Sequence, residues 1–400
     1  MDRDEVAWLL SADAVRQRAH AILAMAERGA LAHFELRPER LADAAALVAA
    51  VTRETYPDLD VPYHSRWRHF VVEGEDRWGM LAAGLGETDA DEIARIRFDL
   101  AVTSVLLDAG AGDRWRYRDA AGVELSRSEG LAIASFDLFR SGGCADDPVH
   151  APLRADAATL SAIRGETLAR GFQDGPGNPL VGVEGRAALL RRLGTALTAA
   201  PELFGTPGRV GNLYDALKAQ ATDGTLPASA ILGAVLRGLG PIWPGRIERG
   251  GVNLGDTWNH AAVGLVPFHK LSQWLSYSLV EPLEAAGVAV TGLDRLTGLP
   301  EYRNGGLLVD SGVLVPKHPR ILADELEVDD EAVVEWRALT VALLDRLADE
   351  VRARLGVPAE SFPLAKVLQG GTWTAGRRIA RERRPGGGPP IRIRSDGTVF

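Results

Sequence analysis

Cysteine is the scarcest residue of this sequence, since Cys144 is the only one among 400 residues. No disulfide can therefore form within the chain, which is typical of a reducing compartment, and we expect a cytoplasmic protein. The N-terminal residues lack a basic region followed by an apolar run, so no secretory signal is predicted. No stretch approaches the roughly 20 apolar residues that a membrane helix requires, so we expect no membrane partner.

Motifs of several common enzyme classes are also missing. There is no Gly-x-x-x-x-Gly-Lys-Ser/Thr phosphate loop, and no serine has a glycine two residues away on both sides. His33-Phe34-Glu35 matches half of a zinc-deaminase motif, but the Pro-Cys-x-x-Cys half cannot exist with one cysteine. The eight histidines include no His-Glu-x-x-His pair. We therefore expect neither a metal site nor a cofactor.

Positive charge is in the minority, with 45 Lys and Arg against 54 Asp and Glu and a net charge of −9. A protein that wraps long nucleic acid needs many clustered cations, because it must release condensed counterions. That class is therefore disfavoured. A small anionic substrate needs only one or two local arginines and stays open. The expected partner is a small molecule rather than a nucleic-acid polymer, and the sequence does not indicate the oligomeric state.

Apolar residues recur mostly at helical spacing, which gives about ten helices against a few short strands. The predicted fold class is mainly α. A Pro/Gly-rich stretch at residues 241–255 is predicted to join an N-terminal helical region, residues 1–240, to a C-terminal helical region, residues 256–400, that carries most of the site. A hairpin is predicted at residues 114–125 and a final strand at 391–394. The predicted helices span residues 2–30, 39–55, 93–108, 128–139, 153–170, 184–199, 210–220, 227–238, 265–281, 331–355 and 362–382, the last of them broken near residues 370–371.

The segment 296–315, LTGLPEYRNGGLLVDSGVLV, concentrates the chemical groups. Pro300 disfavours a regular helix there, and Asn304-Gly305-Gly306 is predicted to turn the chain. Between them lie Glu301, Tyr302 and Arg303, and we expect Arg303 to favour the ionised form of Glu301. Charged and aromatic groups beside a glycine turn suit a site on a rigid scaffold. The alternative is an ordinary surface turn with a local Glu–Arg ion pair.

Three other segments carry candidate site residues. Residues 63–70 mix aromatic, cationic and imidazole groups and predict either a cavity lining or a surface strand. Residues 256–260 place a carboxylate, an indole and an imidazole within a few positions. The helix at 265–281 has an apolar stripe and an opposite polar-aromatic stripe, which favours a cavity wall over a plain surface. Pro282 is expected to end or kink that helix, because it removes the bond to Ser278.

These residues carry a resemblance to a known family. The sequence resembles the domain-of-unknown-function family tied to the uracil-catabolism pathway of fungi and bacteria that passes through ribosylurea. The resemblance implies a cytoplasmic protein that acts on a ribosylated urea derived from uracil. It runs over nearly the whole chain and is strongest in HSRWRHF, SVLLDAGAG, RSEGLA, NPLVGVEGR, LVPFHKLSQWLSYSLVEPL, LTGLPEYRNGGLL, VEWRALTV, LQGGTW and the terminal SDGTVF.

A second similarity covers about twenty residues. Leu296-Thr297, followed by Glu301-Tyr302-Arg303 and then by residues 312–314, is similar to the Leu-Thr-x-Phe-Ala-Asp-Tyr-Arg stretch of queuosine-nucleotide N-glycohydrolases. Those proteins are helical and related in shape to DNA glycosylases, so the similarity implies a DNA-glycosylase-like helical core. Glu301 stands where that pattern has its aspartate, and its longer side chain shifts the carboxylate by about one methylene.

The expected function is hydrolysis of the N-ribosyl bond of ribosylurea, or of its 5′-phosphate, with release of urea. A carboxylate would stabilise the oxocarbenium-like ring or guide the water, while an acid would protonate the leaving urea. The alternatives are an amidohydrolase acting on the ureido carbonyl and a non-catalytic binding subunit. The predicted catalytic residues are Glu301, with His269, His260 or a protonated Asp256 as the acid; the predicted substrate-binding residues are Arg66, Trp67, Trp258, His260, Lys270, Gln273, Trp274, Tyr302 and Arg303.

Overall fold

Helices make up most of the chain in a computed structural model that describes residues 3–108, 110–244 and 246–394. The SDGTVF block of the resemblance, residues 395–400, lies outside these ranges. The described helices are α1 (Arg3–Leu9), α2 (Ala12–Glu27), α3 (Leu41–Thr55), α4 (Arg77–Ala83), α5 (Ala90–Leu106), α6 (Arg127–Arg140), α7 (Ala157–Ala162), α8 (Gly165–Gly171), α9 (Val183–Ala199), α10 (Pro201–Phe204), α11 (Leu213–Lys218), α12 (Ala228–Leu239), α13 (Lys270–Ala285), α14 (Tyr302–Asp310), α15 (Arg320–Ala323), α16 (Glu331–Leu355), α17 (Leu364–Val367) and α18 (Trp373–Arg383).

The strands are short and pair only two by two within the described ranges. The pairs β6–β11 and β13–β14 are parallel, and the pairs β1–β12, β2–β3, β4–β5, β7–β8 and β9–β10 are antiparallel. The mainly α prediction is confirmed, while the relation to DNA glycosylases stays a prediction. The strands are β1 (Phe34–Leu36), β2 (Val71–Val72), β3 (Glu75–Asp76), β4 (Tyr117–Arg118), β5 (Glu124–Leu125), β6 (Thr225–Pro227), β7 (Glu248–Arg249), β8 (Val252–Asn253), β9 (Thr257–His260), β10 (Gly264–Pro267), β11 (Ala289–Thr291), β12 (Leu314–Pro316), β13 (Glu325–Leu326) and β14 (Arg392–Ile393).

Helix α16 is the longest of the described helices, and it is buried on all faces through its first half. Asp330 caps its N-terminus by accepting the N–H of Ala332, and Gly356, at φ 74°, ends it. It packs against α2 and α3 from the N-terminal region and against α14. Helix α5 likewise packs against α13. One buried core therefore includes helices from both predicted regions, and the division at residues 241–255 stays a prediction. None of the described helices is both long and apolar enough to cross a membrane.

Two predicted long helices are each broken into two, so the single-helix predictions were wrong. Residues 2–30 form α1 and α2, because the Ser11 hydroxyl accepts the N–H of Ala14 and caps a new helix start. Residues 153–170 form α7 and α8, since Ile163 and Arg164 are extended between them. In both places a local backbone change interrupts a pattern that reads as continuous.

The glycine turn predicted at residues 304–306 was also wrong, because α14 runs straight through it. Glycine serves close packing here rather than a turn. A Cβ on Gly305 would lie 2.6 Å from the Trp336 ring, and the Trp336 indole donates to the Gly305 carbonyl at 3.0 Å. On α18, Gly376 has the Arg303 carbonyl directly against it. These contacts draw α14 close to both α16 and α18.

Pro282 neither ends nor interrupts the helix, since α13 continues to Ala285. A proline within a helix leaves the carbonyl four residues earlier without its N–H donor. That carbonyl belongs to Ser278, and the Trp67 indole N–H donates to it at 2.7 Å. A distant side chain thus replaces the missing donor. The predicted start of this helix was early, because β10 occupies residues 264–267.

Candidate functional site

A cavity of about 500 Å³ lies where the N-terminal ends of α6, α13, α14 and α18 meet. The loop after α5 and the C-terminal segment 387–393 close its remaining sides. Its volume is in the range of small-molecule sites. It is lined by His64, His69, Asp108, residues 110–113, Arg127, Ser128, Leu131, Lys270, Leu271, Trp274, Leu299, residues 301–303, Trp373, residues 387–389, Ile391 and Ile393.

Glu301 is fixed at the N-terminus of α14. One of its carboxylate oxygens accepts the backbone N–H of Arg303 at 2.8 Å, and the other accepts that of Asn304 at 2.7 Å. Pro300 precedes it and Glu301 itself is extended, which is the geometry of an N-cap. The side chain is buried and lines the cavity. Both oxygens are thus held by donors that favour a carboxylate over a neutral acid.

Two opposing effects act on the ionisation of Glu301. Burial raises its pKa above the usual value. The backbone N–H groups and the charges of Arg303 and Lys270 oppose this rise without cancelling it. Arg303 therefore favours the charged form, as predicted, but burial sets the net direction of the shift.

Lys270 is the first residue of α13 and lines the cavity together with Glu301. Burial lowers its pKa, while the negative charge of Glu301 raises it in part. The backbone N–H of Lys270 donates to the Asp256 carboxylate at 3.0 Å, which fixes the start of the helix. A lysine and a carboxylate therefore line the same cavity, and each favours the charged form of the other.

Aromatic rings form the wall beside this pair. His69 lies edge-on to both Trp274 and Trp373, with ring centroids 5.7 and 6.2 Å away. His64 lies 6.4 Å from each of the same indoles, and its Nδ1 is 3.1 Å from the Gln369 amide oxygen. Burial lowers the pKa of His64 to about 4 and that of His69 well below its usual range. Both imidazoles are therefore neutral at pH 7, so neither is a source of imidazolium.

Arg303 lies over the Trp373 ring, with its guanidinium carbon 4.1 Å from the ring centroid. Its Nε donates to the Tyr302 hydroxyl at 3.1 Å. The side chain is 6% exposed and forms no ion pair with any carboxylate of the described residues. Glu301 and Arg303 are both buried, and Glu301 binds the Arg303 backbone rather than its guanidinium. The alternative of a surface turn with a Glu–Arg ion pair is therefore excluded.

Asp108 brings a second carboxylate to the cavity. The fully buried Arg66 lies behind it and donates from Nη1 to its Oδ2 at 2.6 Å. Arg66 Nε also donates to the Ser104 hydroxyl at 2.7 Å. Arg66, predicted to bind substrate, thus lies outside the cavity and instead fixes Asp108 at its wall.

Three predicted residues form a separate cluster on the other side of the start of α13. The Asp256 carboxylate accepts both terminal nitrogens of Arg337, at 2.7 and 2.8 Å, and the Trp258 indole N–H at 2.7 Å. Burial raises the pKa of Asp256, but Arg337 outweighs it and lowers the net value. His269 Nε2 lies 2.8 Å from the Leu9 carbonyl, and burial lowers the His269 pKa. A protonated Asp256 is inconsistent with this arrangement, and none of the three lines the cavity.

Three further predicted residues also lie elsewhere. Gln273 exchanges hydrogen bonds with the Thr297 backbone N–H and hydroxyl, at 2.8 and 2.5 Å, and thereby anchors the chain leading to Glu301. The Trp67 indole N–H donates a hydrogen bond to the Ser278 carbonyl. His260 lies with its Nε2 3.6 Å from the Glu335 carboxylate. The structure thus brings together five of the predicted residues, namely Lys270, Trp274, Glu301, Tyr302 and Arg303.

Six ionisable or aromatic cavity residues were not among the predicted site residues, namely His64, His69, Asp108, Asp113, Arg127 and Trp373. His64 and His69 belong to the segment 63–70, whose alternative of a cavity lining accounts for them. Residues 66–70 of that segment form a 3-10 helix rather than a strand. Asp108, Arg127 and Trp373 lie in blocks of the family resemblance, which was the available signal. Within the described ranges, no group of three or more His, Cys, Asp and Glu is arranged to hold a metal ion.

Comparisons with known proteins match the chain at full length. The family model described as "Protein of unknown function (DUF1688)" matches residues 8–400. Protein urg3 of Schizosaccharomyces pombe is 41% identical over 409 residues, which cover 100% of both chains. Uracil catabolism protein 4 of Lachancea kluyveri is 36% identical over 442 residues, which cover 99% of both.

Proposed function

The chain belongs to the DUF1688 family of proteins of unknown function, and on that premise we propose that it is a hydrolase of the N-ribosyl bond of ribosylurea, or of its 5′-phosphate. The products are urea and the free sugar. The name of the Lachancea kluyveri relative supports a role in uracil catabolism. The sequence resemblance to the ribosylurea pathway supports the substrate, and the cavity supports the type of reaction.

The observation that carries the proposal is the held carboxylate of Glu301 inside an aromatic-walled cavity. When the bond from C1′ to nitrogen breaks, its electron pair leaves with the nitrogen and positive charge develops on the ribose ring. A fixed carboxylate close to C1′ stabilises this charge, because its donors are already oriented and need no reorganisation. The walls of Trp274 and Trp373 exclude bulk water, which strengthens that electrostatic effect.

Lys270 is the group we assign as the proton donor. Urea is a poor leaving group, so its nitrogen must receive a proton as the bond breaks. His269, His260 and Asp256 lie outside the cavity, and the two cavity imidazoles are neutral at pH 7. The negative charge of Glu301 favours the protonated form of Lys270, and the lowered Lys270 pKa brings it closer to the working pH, where proton transfer is most effective.

The protons balance without any further reactant. Lys270 gives its proton to the departing urea nitrogen. A water molecule then adds to C1′ and gives its proton to Glu301. Transfer of that proton from Glu301 to Lys270 restores both groups. One water is consumed, and one urea and one ribose or ribose 5-phosphate are formed, with no change in oxidation state.

The test is to incubate the purified chain with ribosylurea and with its 5′-phosphate, and to identify the products by mass. Urea together with the free sugar is the expected result. Ammonia and carbon dioxide would instead indicate an amidohydrolase that acts on the ureido carbonyl. Binding of substrate with no turnover would indicate a non-catalytic binding subunit.

A further inference from the structure

One end of the cavity is much more cationic than the rest. A smaller recess opens from it between α6, α14, α18 and the C-terminal segment, and the two share Arg127, Tyr302 and Arg303. Arg377 and Arg381 complete the cationic lining of the recess, against one carboxylate, that of Asp310.

Two acidic side chains near this end already have arginine partners. The Asp310 carboxylate accepts both terminal nitrogens of Arg384, at 2.7 and 2.5 Å. Glu129, at the start of α6, accepts Arg377 at 2.9 Å. The remaining positive charge therefore comes from Arg127, Arg303 and Arg381, which form no ion pair with a carboxylate of the described chain. An anion entering this recess would meet arginines that no acidic side chain occupies.

Arg303 is the residue that points to a ligand. It is more than nine-tenths buried, and the only hydrogen bond of its guanidinium within the described ranges runs from Nε to the Tyr302 hydroxyl. Its two terminal nitrogens have no hydrogen-bond acceptor among the described residues, and the residue lines both the cavity and the recess. Leaving a buried guanidinium without an anionic partner is costly, whereas a phosphate accepts its terminal nitrogens in a bidentate pair.

The N-terminus of α6 adds a second favourable element to this end. Helix α6 has 14 residues, and its N-cap Ser126 makes no side-chain capping bond. Arg127 and Ser128, the first two residues of the helix, both line the cavity. Free N–H groups and the positive end of a helix dipole favour an anion at this position.

We propose that this end, defined by Arg127, Arg303 and the start of α6, is a subsite for a phosphate monoester of the ribosyl substrate. The proposal rests on the proposed function for the identity of the sugar. It makes the 5′-phosphate, rather than the free nucleoside, the form that the site selects. The phosphate at Arg303 places the ribose towards the neighbouring Glu301, since the two residues lie on the same first turn of α14.

Binding of the product sugar tests this subsite without any catalytic turnover. Titration calorimetry would measure the dissociation constants of ribose 5-phosphate, ribose and inorganic phosphate at low salt. We expect ribose 5-phosphate to bind at least tenfold more tightly than either of the others. The variants are Arg303→Gln and Arg127→Gln, the second at an exposed residue. Arg378→Gln is the matched control, because Arg378 lies on α18 but pairs with Glu54 and lines neither the cavity nor the recess.

Arg303→Gln should weaken ribose 5-phosphate binding roughly 10- to 100-fold, and Arg127→Gln by a smaller factor of roughly 3 to 10. Arg378→Gln should leave it unchanged. Equal binding of ribose and ribose 5-phosphate would overturn the subsite, as would equal effects of Arg127→Gln and Arg378→Gln. Equal binding of inorganic phosphate and ribose 5-phosphate would reduce it to a free-anion site and overturn the substrate claim. Urea release is measured separately, so its failure would remove the proposed hydrolysis without removing the anion subsite.

Discussion

Replacing Glu301 by glutamine separates its electrostatic role from its structural one. The change removes the charge while it keeps the size of the side chain. In the native protein both carboxylate oxygens accept backbone N–H groups, but a glutamine amide has only one oxygen. Its NH₂ group would face an N–H donor, so the substitution should also cost about 1 kcal/mol of helix capping.

The catalytic effect should be larger than this capping cost. Loss of one preorganised polar group at a developing charge costs roughly 3 kcal/mol, which is about a hundredfold in kcat. Glu301→Asp keeps both the charge and a good capping residue but withdraws the carboxylate by one methylene. It should therefore retain the native stability better than Glu301→Gln while still losing turnover. Together the two variants distinguish charge from position.

The assay is steady-state urea release measured together with the free energy of unfolding of each variant. Asp89→Asn is the matched control, because Asp89 caps α5 by accepting the N–H of Glu92 and lies outside the cavity. Because asparagine is also a good N-cap residue, the variant should lose little stability and keep its kcat. Near-native kcat in Glu301→Gln would refute the catalytic role, and so would a loss of kcat no larger than the loss of folded protein.

Three further changes test other parts of the structure. Lys270→Met keeps the aliphatic part of the side chain but removes the proton, so kcat should fall roughly 10²- to 10⁴-fold. An unchanged pH–rate profile at alkaline pH in this variant would contradict the assignment of Lys270 as the proton donor. His64 is buried with a pKa of about 4, below the unfolded value near 6.5, so the unfolded chain binds more protons between these two pH values. The free energy of unfolding should therefore fall by up to about 3 kcal/mol as the pH drops from 6.5 to 4. His64→Gln should make the free energy of unfolding, measured in urea, less dependent on pH in this window. Trp67→Phe leaves the Ser278 carbonyl without a donor and should lower the free energy of unfolding by about 1–3 kcal/mol. Trp78→Phe should lower it less, because the Trp78 indole N–H has no acceptor among the described residues. Equal losses of stability in the two variants would mean that packing alone accounts for the effect.

Local sequence patterns were sufficient where a helix depends mainly on its own residues. The predictions of α3, α9 and α16 are confirmed, because an amphipathic stripe and clear ends specify such helices. The predictions from local patterns failed where a residue distant in the sequence determines the local structure. Pro282 is tolerated because of Trp67, more than two hundred residues earlier, and Gly305 stays helical because Trp336 packs on it. No local pattern contains these partners.

The same reason limits what the sequence could say about the site. Lys270 and His269 are adjacent in the chain, yet they face opposite sides of the start of α13, so only one of them reaches the cavity. Asp256 has the chemistry of a catalytic acid, but Arg337 occupies both of its oxygens. Conversely, Asp108 entered the sequence analysis as the last residue of the helix predicted at 93–108, and only the fold shows that Arg66 holds it at the cavity.

A single-turnover reaction in heavy-oxygen water tests the central claim most directly. If the chain cleaves the N-ribosyl bond, the water oxygen must enter the sugar at C1′, and the released urea must keep its original light oxygen. The sugar is reduced at once, so that its label is not lost by exchange. We predict light-oxygen urea and a heavy-oxygen sugar. Ammonia and heavy-oxygen carbon dioxide, with no urea, would contradict the account, because water would then have attacked the ureido carbonyl.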